Sequence, residues 1–238
     1  IKKLSIDDLT KYFKKEFLDK NLSASSYNLN LHAIRYFYLV CFDRNISKIL
    51  LPTSKVRKRY PTIISKEQFI TIVNNEDNLE HKCWLLLSFC CGLRVSEVAT
   101  LKIENINSKE HKLKVLGKGN KERYTILPDI VIKYLRLYYK KKNFIHKTGY
   151  LFIGYNNTSN VLPQTVGNYF TNLKKEYHLP KEITEHSLRH SFATYYLMNG
   201  GDLLTLKSMM GHKSLNSTSI YIHMSQDFNN IKGIDYEK

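Results

Sequence analysis

The side chains best suited to chemistry lie in one stretch of the chain, residues 185–223. It holds the pair His186 and Arg189, a lone imidazole at His212 and a phenol at Tyr221. A guanidinium binds a phosphate through two parallel hydrogen bonds, and fixed cations stabilise the charge that develops on a phosphate under attack. A phenol, with an ordinary pKa of ~10, attacks only when its proton is accepted or nearby cations favour its anion. These residue types therefore predict chemistry on a phosphate, with Tyr221 as the attacking group.

Each of these residues also has a purely structural interpretation. Tyr221 is one of 17 tyrosines, and a histidine after a glycine, such as His212, is often only a partner of a helix C-cap. His186 and His190 are four residues apart, as zinc ligands on a helix can be, but no third ligand follows at metal spacing. We therefore predict no metal and no cofactor, and expect His190 to pack in the interior or make a supporting hydrogen bond.

The composition favours a nucleic acid as partner. The 37 Lys and Arg residues outnumber the 21 Asp and Glu residues and leave a net charge of +16, a strong excess of positive charge. A membrane-surface protein or a merely soluble basic protein has a similar balance, so charge alone leaves both open. Hydrophobic residues make up 42% of the chain, enough for a substantial core and too many for wholesale disorder.

The sequence predicts a cytoplasmic protein. No run of 18 apolar residues is present to span a membrane, and the first residues lack the apolar segment of a secretory signal. The four cysteines form no C-x-x-C pair, and Cys83 and Cys90 share an apolar helical face that is typical of a core. A reducing prokaryotic cytoplasm, with association with the nucleoid during action, fits these features.

We expect three regions along the chain: a helical domain over 1–52, a basic linker over 53–61 and a second domain over 62–238. In the first domain, Ser5 begins one helix and Ser23 or Ser25 begins another. The second helix has a predicted apolar stripe, widened by flanking apolar residues. The stripe is Leu29, Ala33, Phe37 and Val40, and the flanking residues are Leu31, Ile34, Tyr38 and Cys41.

The linker is bounded by prolines and rich in cations, at Lys55, Arg57, Lys58 and Arg59. A solvated connector is one interpretation. We favour a basic segment that crosses a phosphate backbone, because cations that touch DNA strengthen binding through counterion release.

The second domain, 62–238, is predicted to have a mixed fold that is mainly helical with a small sheet. One predicted helix begins at Ser65, a second covers 79–91 and a third begins near Arg94. Three more cover 129–142, 163–177 and 185–198. Asp202 caps another predicted helix, and Asn216 or Ser217 begins the last one. The polar tail 225–238 is expected to leave the globule. Predicted strands cover 102–106, 112–116, 123–127 and 151–153. The turn 117–122 carries Lys118 at its tip. Considered without the other motifs, a lysine at such a position is usually only a solvated side chain at the tip of a hairpin.

Four motifs in this order resemble the tyrosine recombinase family of the phage-integrase type, including Xer-like and integron integrases. They cover about 90–238, whereas 1–50 resembles that family's helical DNA-clamping core-binding domain more weakly. The motifs are Gly92-Leu93-Arg94-Val95-Ser96-Glu97, Gly117-Lys118-Gly119-Asn120-Lys121-Glu122-Arg123, His186-Ser187-Leu188-Arg189-His190-Ser191-Phe192-Ala193-Thr194, and Met210-Gly211-His212 with Tyr221 nine residues later.

The resemblance implies a role for each matching position. Arg94 and Arg189 would hold the non-bridging oxygens of the scissile phosphate, and Lys118 would protonate the leaving 5′ oxygen. His186 and His212 would bind the phosphate or manage the proton of the nucleophile. Tyr221 would form a 3′-phosphotyrosyl link. Arg94 has a simpler alternative, an ion pair with Glu97 on one helical turn.

The implied activity is site-specific recombination of double-stranded DNA through a Holliday junction, by four copies of the chain and without a cofactor. Further DNA contacts are expected from the linker cations and from Lys121 and Arg123. A type IB topoisomerase that only relaxes DNA, and a DNA-binding regulator without catalysis, are the alternatives.

Overall fold

The computed structural model describes residues 5–19, 23–43, 45–46, 53–55, 60–117, 121–144, 148–155 and 159–227. The chain divides into two compact units, residues 1–59 and 60–238. No helix among the described residues is long and apolar enough to cross a membrane. The two units are described in turn.

The described residues of the first unit form two helices, α1 (Ile6–Asp19) and α2 (Ala24–Phe42). Both begin at a predicted serine: the Ser5 hydroxyl accepts a hydrogen bond from the backbone of Asp8, and that of Ser23 from the backbone of Ser26. Such caps satisfy amide groups that have no partner in the first turn. Leu9 of α1 packs with residues of α2 and with Ile46 in a small core.

The predicted inward face of α2 is wrong. Leu31 and Tyr38, which we expected only to widen the stripe, are 0% and 5% exposed. Leu29 and Val40 of the predicted stripe are 71% and 62% exposed. The helix is apolar on several sides, so spacing alone does not identify the buried face; the contact with Leu9 of α1 does.

The second unit begins with helices α3 (Lys66–Asn75), α4 (Leu79–Cys90) and α5 (Val95–Ala99). The predicted capping box of α3 is present, with hydrogen bonds between Ser65 and Gln68 in both directions. Every residue of α4 from Cys83 to Cys90 is buried, so α4 is the central helix of the core. The chain leaves α4 at Gly92, whose φ of 67° lies in the left-handed region.

A small antiparallel sheet follows, with strands β1 (Ile106–Asn107), β2 (Lys112–Leu116) and β3 (Glu122–Ile126) in the order β1-β2-β3. The two longer strands are as predicted to within one residue. The strand predicted at 102–106 is wrong, because residues Ile103–Asn105 form a 3₁₀ turn. The strand predicted at 151–153 is also wrong: only isolated bridges form there, Lys102 to Tyr150 and Ile153 to Asn160.

Five helices follow in the part of the unit that the structure describes: α6 (Asp129–Lys141), α7 (Pro163–Glu176), α8 (Glu185–Met198), α9 (Leu203–Met210) and α10 (Asn216–Asp227). Their predicted positions are confirmed, and α8 has the predicted ends. Asp202 accepts a hydrogen bond from the backbone of Thr205 at the start of α9, and Gly211 ends α9 with a φ of 64°. Residues 225–227 of the predicted tail belong to α10 instead, and the rest of the predicted tail lies outside the described residues.

Candidate active site

Helix α8 holds Arg189 in the interior. The Arg189 guanidinium donates hydrogen bonds to the backbone carbonyls of Gly92 and Met210, and the residue is 3% exposed. It reaches Gly92 because α8 packs directly on the turn after α4: a Cβ added at Gly92 would lie 2.4 Å from the ring of Phe192. A glycine at 92 thus brings the first and third motifs together, 97 residues apart in sequence.

Glu97 connects three arginines at this point. Its carboxylate accepts hydrogen bonds from Arg94 (Nη1, 2.9 Å) and from both terminal nitrogens of Arg123 (2.8 Å each), and it lies 3.6 Å from Arg189. It also accepts the backbone N–H of Arg94 at 2.8 Å, at the start of α5. Burial works to raise the pKa of Glu97, but the hydrogen bonds and charge of Arg123 outweigh it and the pKa is lowered. Glu97 is therefore an anion that holds the cations in place.

We call Arg94, Glu97, Arg123 and Arg189 the arginine cluster. Three cations and one anion leave two positive charges in excess. Burial, with repulsion from Arg94, lowers the pKa of Arg189 to about 9, so it stays charged at neutral pH. The side chain of Arg94 is 36% exposed, against 8% for Arg123 and 4% for Arg189. The cluster is thus a buried, positively charged centre that opens outward at Arg94.

Arg123, which was expected to contact DNA, is only 9% exposed and makes its side-chain hydrogen bonds within the protein. Its Nε donates to the backbone carbonyl of Met209 at 2.7 Å, and its other two nitrogens bind Glu97. These three bonds join β3, α5 and the end of α9. Sequence reasoning missed this role for Arg123 and treated Glu97 only as a partner of Arg94. The one available signal was a glutamate three residues after an arginine at a helix start, a spacing that brings the two side chains together.

Tyr221 lies on α10 and is 2% exposed. Its hydroxyl oxygen is 2.7 Å from Nδ1 of His190 on α8, and its ring lies parallel to that of His212, with an interplanar angle of 15° and a centroid distance of 6.5 Å. Burial raises the pKa of Tyr221 to about 12, although Arg189 and Arg94 act in the opposite direction. The structure therefore brings the phenol, two imidazoles and the cations of the cluster together.

The two imidazoles beside Tyr221 are held differently. Nδ1 of His212 is 2.9 Å from the hydroxyl of Thr218, so α10 fixes the orientation of this ring. Burial, with repulsion from Arg189, lowers the pKa of His212 to about 4. Burial, with repulsion from His186 and Arg189, lowers the pKa of His190 to about 4 as well. Both rings are therefore neutral at neutral pH, since a buried cation here would face other cations.

The remaining predicted residues lie at the surface or outside the described residues. His186 is on the exposed side of α8, with Nδ1 3.3 Å from the carboxylate of Glu185. Lys55 and Lys121 are exposed. Lys118, Arg57, Lys58 and Arg59 lie outside the described residues, although the hairpin that carries Lys118 is closed by a bond from the Gly117 N–H to the Lys121 carbonyl, 2.8 Å.

An open cleft of about 910 Å³ lies over the exposed side of the arginine cluster. Arg94, Glu97, Arg123 and His212 contribute to its wall. Additional cations line it, at Lys121, Lys207 and Lys213. A cleft that is lined by cations and backed by a buried positive centre suits an anionic chain such as a nucleic-acid backbone.

Comparison with known proteins gives consistent matches. The profile of the phage integrase family matches residues 63–227. The chain is 30% identical over 222 residues to tyrosine recombinase XerD of Staphylococcus haemolyticus (strain JCSC1435), covering 88% of this chain and 75% of that protein. XerD of Staphylococcus aureus (strain Mu50 / ATCC 700699) is 29% identical over 221 residues, with the same coverage.

Solved structures share the fold. The crystal structure of XerA recombinase matches with a TM-score of 0.63 at 25% identity, over 98% of this chain and 86% of that one. XerH bound to its palindromic difH substrate in a post-cleavage complex matches with a TM-score of 0.77 at 20% identity, over 95% of this chain and 71% of that one.

Proposed function

Because the chain belongs to the phage integrase family, and within it to the tyrosine recombinases, we propose that Tyr221 is its nucleophile and the arginine cluster its phosphate site. The protein is a site-specific recombinase that cuts and rejoins DNA. One observation supports the assignment of residues: the buried Tyr221 hydroxyl lies 2.7 Å from His190, the residue next to Arg189 on α8, and Arg189 belongs to a cluster with two positive charges in excess.

The proposed reaction is a transfer of the phosphate from one oxygen to another. A bond forms between the Tyr221 oxygen and phosphorus while the bond from phosphorus to the 5′ oxygen breaks, and its electron pair leaves with that oxygen. Lys118 protonates the leaving oxygen, as the resemblance implies. The phenol gives its proton to one of the imidazoles of His186 and His212, and the other binds the phosphate. Attack by a 5′-hydroxyl on the phosphotyrosyl bond reverses these steps without a cofactor.

The arginines act on the charge of the phosphate. Negative charge builds up on the non-bridging oxygens as the phenol attacks, and fixed guanidiniums stabilise it without reorganisation. Arg189 is fixed by the Gly92 and Met210 carbonyls, and Arg94 by Glu97. The exposed fraction of Arg94 supports direct contact with the phosphate from the cleft side.

A covalent trap tests this assignment. Duplexes from a randomised library, nicked so that the cleaved fragment diffuses away, are incubated with the protein, and the adducts are isolated under denaturing conditions. We expect wild type to form adducts and to enrich one sequence, which identifies the site, and Tyr221→Phe to form none. Absence of an adduct with wild type, or an adduct with Tyr221→Phe, would refute the mechanism.

The two alternatives from the sequence are not favoured, because the XerD relatives are recombinases. A topoisomerase would change only the linking number of a plasmid that carries two copies of the site. A recombinase gives exchanged junctions. A regulator without catalysis would give neither product.

We propose that double-stranded DNA is held by both units, with the first unit as a core-binding clamp and 53–61 as a basic crossing segment. Support comes from the net charge and from the XerH structure, which contains DNA. Exchange between two duplexes implies four copies, acting in the cytoplasm. Removal of residues 1–60 is expected to abolish stable binding to the site but to leave a cooperatively unfolding fragment. An unfolded fragment would show that the domain boundary is wrong.

A further inference from the structure

His190 is the residue beside the reacting atoms that the implied mechanism leaves without a task. It follows Arg189 directly on α8, and its Nδ1 is 2.7 Å from the Tyr221 hydroxyl. The two other histidines are placed differently: Nδ1 of His212 faces Thr218, and Nδ1 of His186 faces Glu185 at the surface. Among the described side chains, His190 is thus the imidazole that hydrogen-bonds to the phenol.

We propose that His190 is a positioning residue for strand cleavage, whose Nδ1 accepts a hydrogen bond from the Tyr221 hydroxyl and thereby aims a lone pair of the phenolic oxygen at the phosphate. This inference rests on the proposed role of Tyr221 as nucleophile. A phenol has one rotatable O–H bond, and an acceptor in the plane of the ring selects one rotamer. The remaining lone pair of the oxygen then has a fixed direction.

The surroundings of His190 keep its ring neutral. A protonated His190 would face the guanidinium of Arg189 and the imidazole of His186, and burial adds to this repulsion, so the ring stays neutral. With its proton on Nε2, the neutral ring presents the lone pair of Nδ1 to the hydroxyl. The neutral ring therefore offers the phenol a fixed hydrogen bond before attack.

The position of His190 on α8 connects this hydrogen bond to the phosphate site. Successive side chains on a helix diverge by about 100°, so Arg189 faces the Gly92 and Met210 carbonyls while His190 faces α10. One rigid helix then sets both the position of a phosphate-binding guanidinium and the direction of the attacking oxygen. The parallel ring of His212 restrains the phenol from a second side.

Three substitutions separate positioning from a general structural effect. The amide oxygen in His190→Asn is as far from the backbone as Nδ1, so it retains an acceptor at the right place. In His190→Gln the amide is one bond longer and reaches the position of Nε2 instead. His190→Ala removes the acceptor. All three are assayed by single-turnover formation of the covalent adduct on the trapped nicked duplex, with binding to the same duplex measured separately.

We expect His190→Ala and His190→Gln to slow adduct formation by about 10²-fold, since a small misplacement of a reacting atom has an effect of this size. His190→Asn should retain most of the wild-type rate, and binding should be unchanged in all three. A duplex with a bridging 5′ sulfur at the scissile position has a leaving group that needs no proton. It should rescue Lys118→Ala but not His190→Ala, because His190 acts on the attacking oxygen.

Four results would overturn the proposal. Two concern His190→Ala: adduct formation at the wild-type rate or faster, or rescue by the sulfur substrate. The other two are a rate for His190→Asn as low as that of His190→Ala, and a rate for His190→Gln as high as that of His190→Asn. The comparison of Asn with Gln decides the question even if His190→Ala does not fold. Failure of wild type to form an adduct, or an adduct with Tyr221→Phe, would instead refute the role of Tyr221.

Discussion

Replacing Glu97 by glutamine tests whether the arginine cluster is organised by a buried anion. The carboxylate accepts four hydrogen bonds, from the Arg94 backbone and side chain and from both terminal nitrogens of Arg123. Glutamine has nearly the same shape but offers one acceptor oxygen, and its amide group faces a donor. Three guanidiniums then remain without a counter-charge, in a site where Glu97 is only 7% exposed.

The size of the effect follows from the burial of the pair. Loss of one partner from a buried ion pair lowers the free energy of unfolding by about 3–5 kcal/mol. For a chain of this length, each kcal/mol corresponds to about 2–4 °C in Tm, so Glu97→Gln should lower Tm by about 6–20 °C. Thermal unfolding followed by circular dichroism measures this directly.

Glu122→Gln is the matched control. Glu122 also pairs with a cation, Lys114 at 2.6 Å, but its carboxylate is 52% exposed and solvent screens the pair. The same chemical change should therefore leave Tm nearly unchanged. Equal values of Tm for Glu97→Gln and Glu122→Gln would refute the view that Glu97 organises the cluster.

The pH dependence gives a second check on Glu97. Its pKa in the folded protein lies below the ordinary value. Its contribution to stability is therefore fully present above the unfolded pKa of ~4.3 and is lost as the pH falls through the folded value. The difference in stability between wild type and Glu97→Gln should be constant from about pH 6 to 8 and should shrink below about pH 4.3. A difference that does not change in acid would contradict the assignment.

Two further sets of variants test the phosphate site and the packing that forms it. Arg94→Ala and Arg189→Ala should bind the site-containing duplex but form the covalent adduct about 10²–10³-fold more slowly, because each removes a fixed donor; equal losses of binding and cleavage would make them only anchors for the DNA. Gly92→Ala should lower Tm clearly, since φ is 67° and a Cβ would lie 2.4 Å from Phe192. A Cβ added at Gly167, in α7, would have no neighbouring atom within 4 Å, so Gly167→Ala should raise the free energy of unfolding by about 0.5–1 kcal/mol. A similar loss of Tm in both glycine variants would contradict the packing argument.

Local rules predicted the helices of the second unit well, because their signals are local. Ser65 with Gln68, Asp202, and Gly211 mark helix ends through bonds or conformations confined to a few residues. The strands were harder, since β-structure requires a partner elsewhere in the chain. Residues 151–153 have a suitable apolar composition but form only isolated bridges.

The site was predicted as a set of residues, not as a network. Residue type suggests that Arg189 binds an anion, but it does not reveal that two backbone carbonyls hold it. Arg123 has the sequence of an exposed hairpin cation, and only the contact of β3 with α5 and α9 shows that it is buried. His190 gains its place at Tyr221 from the packing of α8 on α10, a contact over 31 residues that no local pattern encodes.

The identity of the tyrosine in the covalent adduct tests the central claim most directly. Wild-type protein is trapped on the enriched nicked duplex, digested with a protease, and the peptide that carries the nucleotide is sequenced by mass spectrometry. We predict one modified residue, Tyr221, linked to a 3′-phosphate. A nucleotide on any other of the 17 tyrosines, or a link to a 5′-phosphate, would contradict the account.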